Sequence, residues 1–125
     1  MIVGSGIDVI ETARLERELD RALWKAKHGI FSSTEIQYCN HSKRPAQQLA
    51  GCFAAKEAAL KALGVEVVSL ADFRDIEVAH HPNGKCSLNL RGRALSVSQR
   101  LGVKHASVAV TTGRQFSGAV VMLES

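Results

Sequence analysis

Residues 49–64, Leu-Ala-Gly-Cys-Phe-Ala-Ala-Lys-Glu-Ala-Ala-Leu-Lys-Ala-Leu-Gly, constrain the fold more than any other stretch of the chain. Pro45 suits a first helical turn, where a missing N–H costs nothing, and Gly64 suits the left-handed position just past a last turn. The stretch holds six alanines, with only Gly51 and Cys52 as weaker helix formers. Leu49, Phe53, Leu60 and Leu63 fall on one side at helical spacing, so this face is expected in the core. Glu57 and Lys61 stand four apart beside that stripe, with Lys56 on its other flank. Two readings are open. Glu57 and Lys61 can be a common surface pair worth about 0.2–0.5 kcal/mol. Alternatively, a carboxylate and two ammonium groups at the border of a buried face can hold a cation and an anion together.

The 125 residues fit one domain, 1–125, large enough to bury a core. With 46% hydrophobic and 22% charged residues, the composition is that of a globular protein. No apolar run approaches the ~20 residues of a membrane span, and the N-terminus has no signal-peptide pattern. The expected setting is therefore the cytoplasm, without membrane attachment. Cys39, Cys52 and Cys86 are odd in number and lack metal-ligand spacing, so they are expected as reduced thiols. A net charge of +4 favours an anionic partner without saying which.

Met1–Ile10 reads as a short buried strand in which Gly4 and Gly6 mark a bulge or a close backbone approach. Asp8 lies inside this apolar run and must be paired, hydrogen-bonded or metal-bound, or else cap the following turn. Thr12 is the expected N-cap of a first helix reaching about His28, with Leu15, Leu19, Ala22 and Ala26 inward. Arg14, Arg17, Arg21, Lys25 and His28 line its outer side with Trp24 among them, while Glu11, Glu16, Glu18 and Asp20 dilute the patch. Such a stripe can be a solvated face, or a docking surface, because Trp and Arg are enriched at the centres of interfaces.

Ser32-Ser-Thr-Glu35 has the form of a capping box opening a short helix through Cys39. Leu70–Ala79 is expected as a strand, followed by a turn at Pro82-Asn-Gly84 and a returning strand Cys86–Leu90. His80 and His81 lack partners at metal-ligand spacing. A short helix over about Gly92–Leu101 precedes two strands, His105–Thr111 and Gly118–Leu123. The predicted class is α+β: a small antiparallel β-sheet with the central helix packed on it.

Gly6-Ile-Asp-Val-Ile-Glu11 and Phe53-Ala-Ala-Lys-Glu-Ala-Ala-Leu-Lys-Ala-Leu-Gly64 together resemble the two signature motifs of the 4′-phosphopantetheinyl transferases. Phe31-Ser-Ser-Thr-Glu35, Asp75-Ile-Glu-Val78 and Asn83-Gly-Lys85 are similar, in the same order, to the small holo-[acyl-carrier-protein] synthase subgroup. The resemblance spans nearly the whole chain. It implies the 4′-phosphopantetheinyl transferase-like fold and transfer of the phosphopantetheine arm of coenzyme A to a serine of an acidic acyl or peptidyl carrier protein. Asp8 and Glu57 would hold Mg²⁺, and Lys61 with Lys56 would contact coenzyme A phosphates. His105, Asn83, Gly84 and Lys85 would reach the nucleotide, from a neighbouring chain if the site lies between subunits of a homotrimer, as in the subgroup. Arg14, Arg17, Arg21, Trp24 and Lys25 would receive the carrier protein.

Two departures stand out. Cys52 occupies a position where the family often has an arginine, a phosphate contact that Lys43 or Arg44 could replace. In His105-Ala-Ser-Val-Ala-Val-Thr111, residues Ala109, Val110 and Thr111 replace the family's second serine, second histidine and acid. A metal-bound water or Glu57 would then have to take the proton of the carrier serine. The alternative is a catalytically impaired relative that still binds coenzyme A or the carrier. A nucleic-acid-binding domain has only the charge in its favour, and no nucleic acid partner is expected.

Overall fold

The computed structural model describes residues 1–21 and 28–125, leaving out the side chains of Asp20 and Arg21. Its centre is the helix α3 (Pro45–Leu63), entered at Pro45 and closed by Gly64 in the left-handed conformation (φ 71°). One side of α3 lies on a three-stranded antiparallel sheet in the order β1 (Ile2–Glu11), β5 (Phe116–Glu124), β4 (His105–Thr111). The others meet α1 (Thr12–Arg21), α2 (Ser33–Asn40), α5 (Gly92–Arg100) and the hairpin of β2 (Ile76–His80) with β3 (Cys86–Leu90). The class is α+β, as predicted, with the strands divided between two sheets.

The alanines explain how α3 is buried on more than one stripe. Ala50, Ala54, Ala55, Ala58 and Ala59 are all buried, so neighbours approach the helix backbone without long side chains between them. Gly4 and Gly6 make the same concession from the strand. A Cβ at either would collide with the carbonyl of Ala62 or Ala58, so β1 rests directly on α3. The core is completed by Phe31, Ile76, Val78, Val121 and Leu123, each worth about 1.5–3 kcal/mol on burial.

Three expectations change. β1 is not a buried strand: Ile7 and Val9 are each 62% exposed and point away from α3, while Asp8 points towards it. The register runs Asp8 opposite Ala119 and Glu11 opposite Phe116, with a bulge between Ile2 and Gly4. The segment preceding β2 is a short helix, α4 (Ala71–Arg74), rather than strand, because the Asp72 carboxylate accepts the amides of Val68 and Ser69 at 2.8 and 3.1 Å. Finally, Thr12 is already helical, and its hydroxyl donates to Gly113 O at 2.7 Å, tying α1 to the β4–β5 turn. The capping box at Ser32 and Glu35 forms as expected.

Candidate active site

Strand alternation sets Asp8 inward between two outward residues, and α3 answers with Glu57 and Lys61 one turn apart. The Lys61 ammonium donates to Asp8 Oδ1 at 2.9 Å and to the Ile7 carbonyl at 3.2 Å. Asp8 Oδ2 is buried with no hydrogen-bond donor. The pKa of Glu57 is pushed up to about 7, first by burial, then by the adjacent Asp8 charge and the hydrogen bond the two carboxyls can share. That hydrogen bond needs a proton on Glu57; with both groups ionised, two negative oxygens face each other and Oδ2 stays unsatisfied. Lys61 is raised in turn, chiefly by its hydrogen bond to Asp8.

Asp8 and Glu57 line a cleft of about 540 Å³ between β1, α1 and α3, with Phe53 and Phe116 as apolar walls, while Lys61 is tied to it through Asp8. Glu11, Arg14 and Glu18 supply the far side. By charge alone, Glu11 and Glu18 count only as dilution of a basic stripe. Glu11 ends β1 and Glu18 stands on α1, so no single repeat in the sequence announces that both face the cleft.

The predicted site residues do not all meet. Asp8, Glu57 and Lys61 come together. Lys56 does not: its ammonium is fully buried on the opposite side of α3, paired with Glu35 at 2.9 Å and bonded to the carbonyls of Phe73 (3.0 Å) and Ile76. With its donors used by three buried acceptors, Lys56 cannot reach a phosphate in the cleft, which corrects its assignment as a coenzyme A contact. His105, Asn83, Gly84 and Lys85 do not line the cleft either. His105 pairs with Glu124, whereas the Asp8 row crosses β4 at Val110, five residues or about 17 Å along the strand. Asn83, Gly84 and Lys85 form the tip of the β2–β3 hairpin, with Asn83 Oδ1 accepting the Lys85 amide at 3.0 Å. Arg14 and Arg17 are exposed on α1, and Arg14 pairs loosely with Glu18 at 3.2 Å. Trp24 and Lys25 lie outside the described residues, as does the Arg21 side chain.

The departures also have a structural meaning. Cys52 is buried and donates its S–H to Glu35 Oε2 at 3.1 Å, so position 52 faces the core. Lys43 and Arg44 lie just before α3 and do not line the cleft. Val110 packs on α3 at Gly51, where an added Cβ would stand 2.9 Å from Val110 Cγ1.

A sequence model of the 4′-phosphopantetheinyl transferase superfamily (ACPS) matches residues 4–120. The chain belongs to this superfamily. Among curated relatives, the holo-[acyl-carrier-protein] synthase of Syntrophus aciditrophicus is 39% identical over 99% of this chain and 97% of its own. In three dimensions the transferase fold here superposes on the Neisseria meningitidis holo-[acyl-carrier-protein] synthase with a TM-score of 0.84, 31% identity and full coverage of both chains. The Helicobacter pylori synthase, solved in complex with coenzyme A, matches with a TM-score of 0.80 and 28% identity over 96% of this chain and 99% of that one.

Proposed function

We propose that the protein transfers 4′-phosphopantetheine from coenzyme A to a serine of an acidic acyl carrier protein, yielding the holo-carrier and adenosine 3′,5′-bisphosphate. The observation that carries the reading is the pairing of Asp8 and Glu57 at one cleft, with Lys61 bonded to Asp8, in a chain similar throughout its length to holo-[acyl-carrier-protein] synthases. In the reaction the serine oxygen bonds to the phosphorus bearing pantetheine, the bond from that phosphorus to the nucleotide oxygen breaks, and the serine gives up its proton.

The donor set fits Mg²⁺. Two adjacent carboxylates, one with a buried oxygen lacking any donor, are hard oxygen ligands, and Mg²⁺ commonly takes only one or two from protein and completes its shell with water and phosphate. Among the described residues no group of three or more His, Cys, Asp or Glu suits a metal, so the protein's share of such a site is two carboxylates. Asp8 and Glu57 would hold the ion, which when bound neutralises charge developing on the phosphoryl and leaving-group oxygens. Lys61, donating to Asp8 and the Ile7 carbonyl from an exposed position, orients that carboxylate and offers its remaining donor to a phosphate. With Val110 packed on α3, the serine proton would go to a water held by the ion or to Glu57, the two acceptors the cleft would offer.

The exposed side chains of Ile7, Val9, Phe116, Val120 and Met122 support a homotrimer, because an apolar face of this extent calls for a partner. In that assembly His105 and the Asn83-Gly84-Lys85 tip would serve a neighbour's cleft, which accounts for their distance from Asp8 within one chain. Arg14 and Arg17, with Arg21, Trp24 and Lys25, would form the landing surface for the carrier. The cytoplasm, where coenzyme A and carrier proteins meet, is the proposed setting.

Intact-mass analysis of carrier proteins incubated with coenzyme A and Mg²⁺ tests this function. A mass gain of one phosphopantetheine per carrier, absent when a chelator is present from the start, is the expected result. Binding of coenzyme A without any mass gain would instead favour the catalytically impaired relative. Sedimentation is expected to give a trimer, and an active monomer would exclude the shared site.

A further inference from the structure

Glu35 and Lys56 form a buried unit that the reaction does not use. Glu35 Oε1 accepts the Lys56 ammonium at 2.9 Å and the Ser32 amide at 2.8 Å. Glu35 Oε2 accepts the Val78 amide at 2.8 Å and the Cys52 thiol at 3.1 Å. Lys56 spends its other two donors on the carbonyls of Phe73 and Ile76. Both side chains are inaccessible to solvent, and Glu35 and Lys56 together tie α2, α3 and the α4–β2 junction through directional bonds.

Lys56 immediately precedes Glu57 in α3, and successive helical residues diverge by about 100°. Fixing the Lys56 ammonium against three acceptors on one side therefore fixes the angle at which Glu57 leaves the other side. Apolar packing beside Lys56 comes from Cys52, Phe53 and Leu60 and resists a small rotation only through shape, whereas bonds to three fixed acceptors are directional. We propose that Glu35 and Lys56 are a positioning pair that sets the rotation of α3 and thereby aims Glu57 at Asp8. The consequence for catalysis rests on the transferase reading, whereas the geometric content stands apart from it.

Removing one partner alone leaves an uncompensated buried charge, which endangers folding itself. The double variant Glu35→Gln/Lys56→Met keeps volume and avoids the unpaired buried charge of either single variant, at the cost of leaving one backbone amide and two carbonyls short of a partner. Val121→Ala, a cavity in the sheet core away from the pair, serves as the control for destabilisation. The double variant is expected to melt lower than wild type, as Val121→Ala does, but unlike that control to lose about tenfold in kcat, with KM for coenzyme A and for carrier within about twofold. Val121→Ala is expected to melt lower and keep its kcat. A double variant with wild-type kcat overturns the proposal. Its crystal structure decides independently of turnover: Glu57 swung away from Asp8 upholds the positioning role, and a superposable Glu57 overturns it. If the wild-type protein modified no carrier at all, the transferase reading would fall and the crystal structure alone would decide the geometric claim.

Discussion

Helix α3 carries two lysine–carboxylate pairs on opposite sides, and they differ in every respect that matters. Lys56–Glu35 is fully buried, and both partners have every donor and acceptor matched. Lys61–Asp8 sits at a cleft with Lys61 largely in water, and it leaves Asp8 Oδ2 without a donor beside the crowded Glu57. The first pair has no spare valence and serves the fold. The second is under-satisfied, and a group kept that way in a packed protein has capacity for a ligand. The contrast teaches that residue type and even adjacency in sequence say little about role; the count of unmet bonds says more.

The contrast can be broken most severely at the chemistry. Asp8→Ala and Glu57→Ala should each cost about a thousandfold in transfer while the protein stays folded, since several kcal/mol of charge stabilisation depends on those carboxylates. Mass spectrometry with circular dichroism reads both halves, and full activity in either variant removes the site. Stability should show the reverse pattern. Lys56→Met should lose about 3–5 kcal/mol in urea unfolding, against less than about 1 kcal/mol for Lys61→Met. Equal losses would erase the distinction between the two sides.

A smaller effect concerns the basic face beside the cleft. Arg14→Glu and Arg17→Glu should raise the carrier KM about tenfold in low salt and leave that of coenzyme A nearly unchanged, the gap narrowing as salt is added. An unaltered carrier KM would detach this face from the function. The smallest effect is on pH. Glu57 binds its proton more tightly folded than unfolded, so its contribution is complete below about 4.5 and fades as pH rises through about 7. Because Glu57 is partly exposed, screening limits the change in the metal-free protein to about 1–2 kcal/mol. Thermal melts from pH 4 to 8 should show the decline in wild type and a flatter profile in Glu57→Gln, with added Mg²⁺ offsetting it at high pH.

Much of this was legible in the sequence. The punctuation by Pro45 and Gly64, the Ser32 box and the Asn83-Gly84 turn delimit elements by local chemistry, and local chemistry is what a sequence displays. The glycines of β1 correctly announced a close approach, and Asp8 with Glu57 and Lys61 was found through spacing and resemblance. What escaped was non-local. The fate of Lys56 depends on a glutamate twenty-one positions earlier, on a different helix. The α4 turn depends on one carboxylate reaching back to two amides, which outweighs the strand-like Phe73 within it, and the strand begins only at Ile76. Ile7 and Val9 read as interior because they belong to a run of apolar β-formers, and such a run cannot say which side of a sheet remains uncovered.

The contact of Gly6 with the Ala58 carbonyl has an outcome for how this scaffold can evolve. Strand and helix touch main chain to main chain, so the gap spanned by the two acids is a fixed gauge, insensitive to whichever rotamers surround it. Drift elsewhere in the core can therefore accumulate without detuning the jaws, whereas a single methyl at position 6 would wedge them apart with every reactive group still in place.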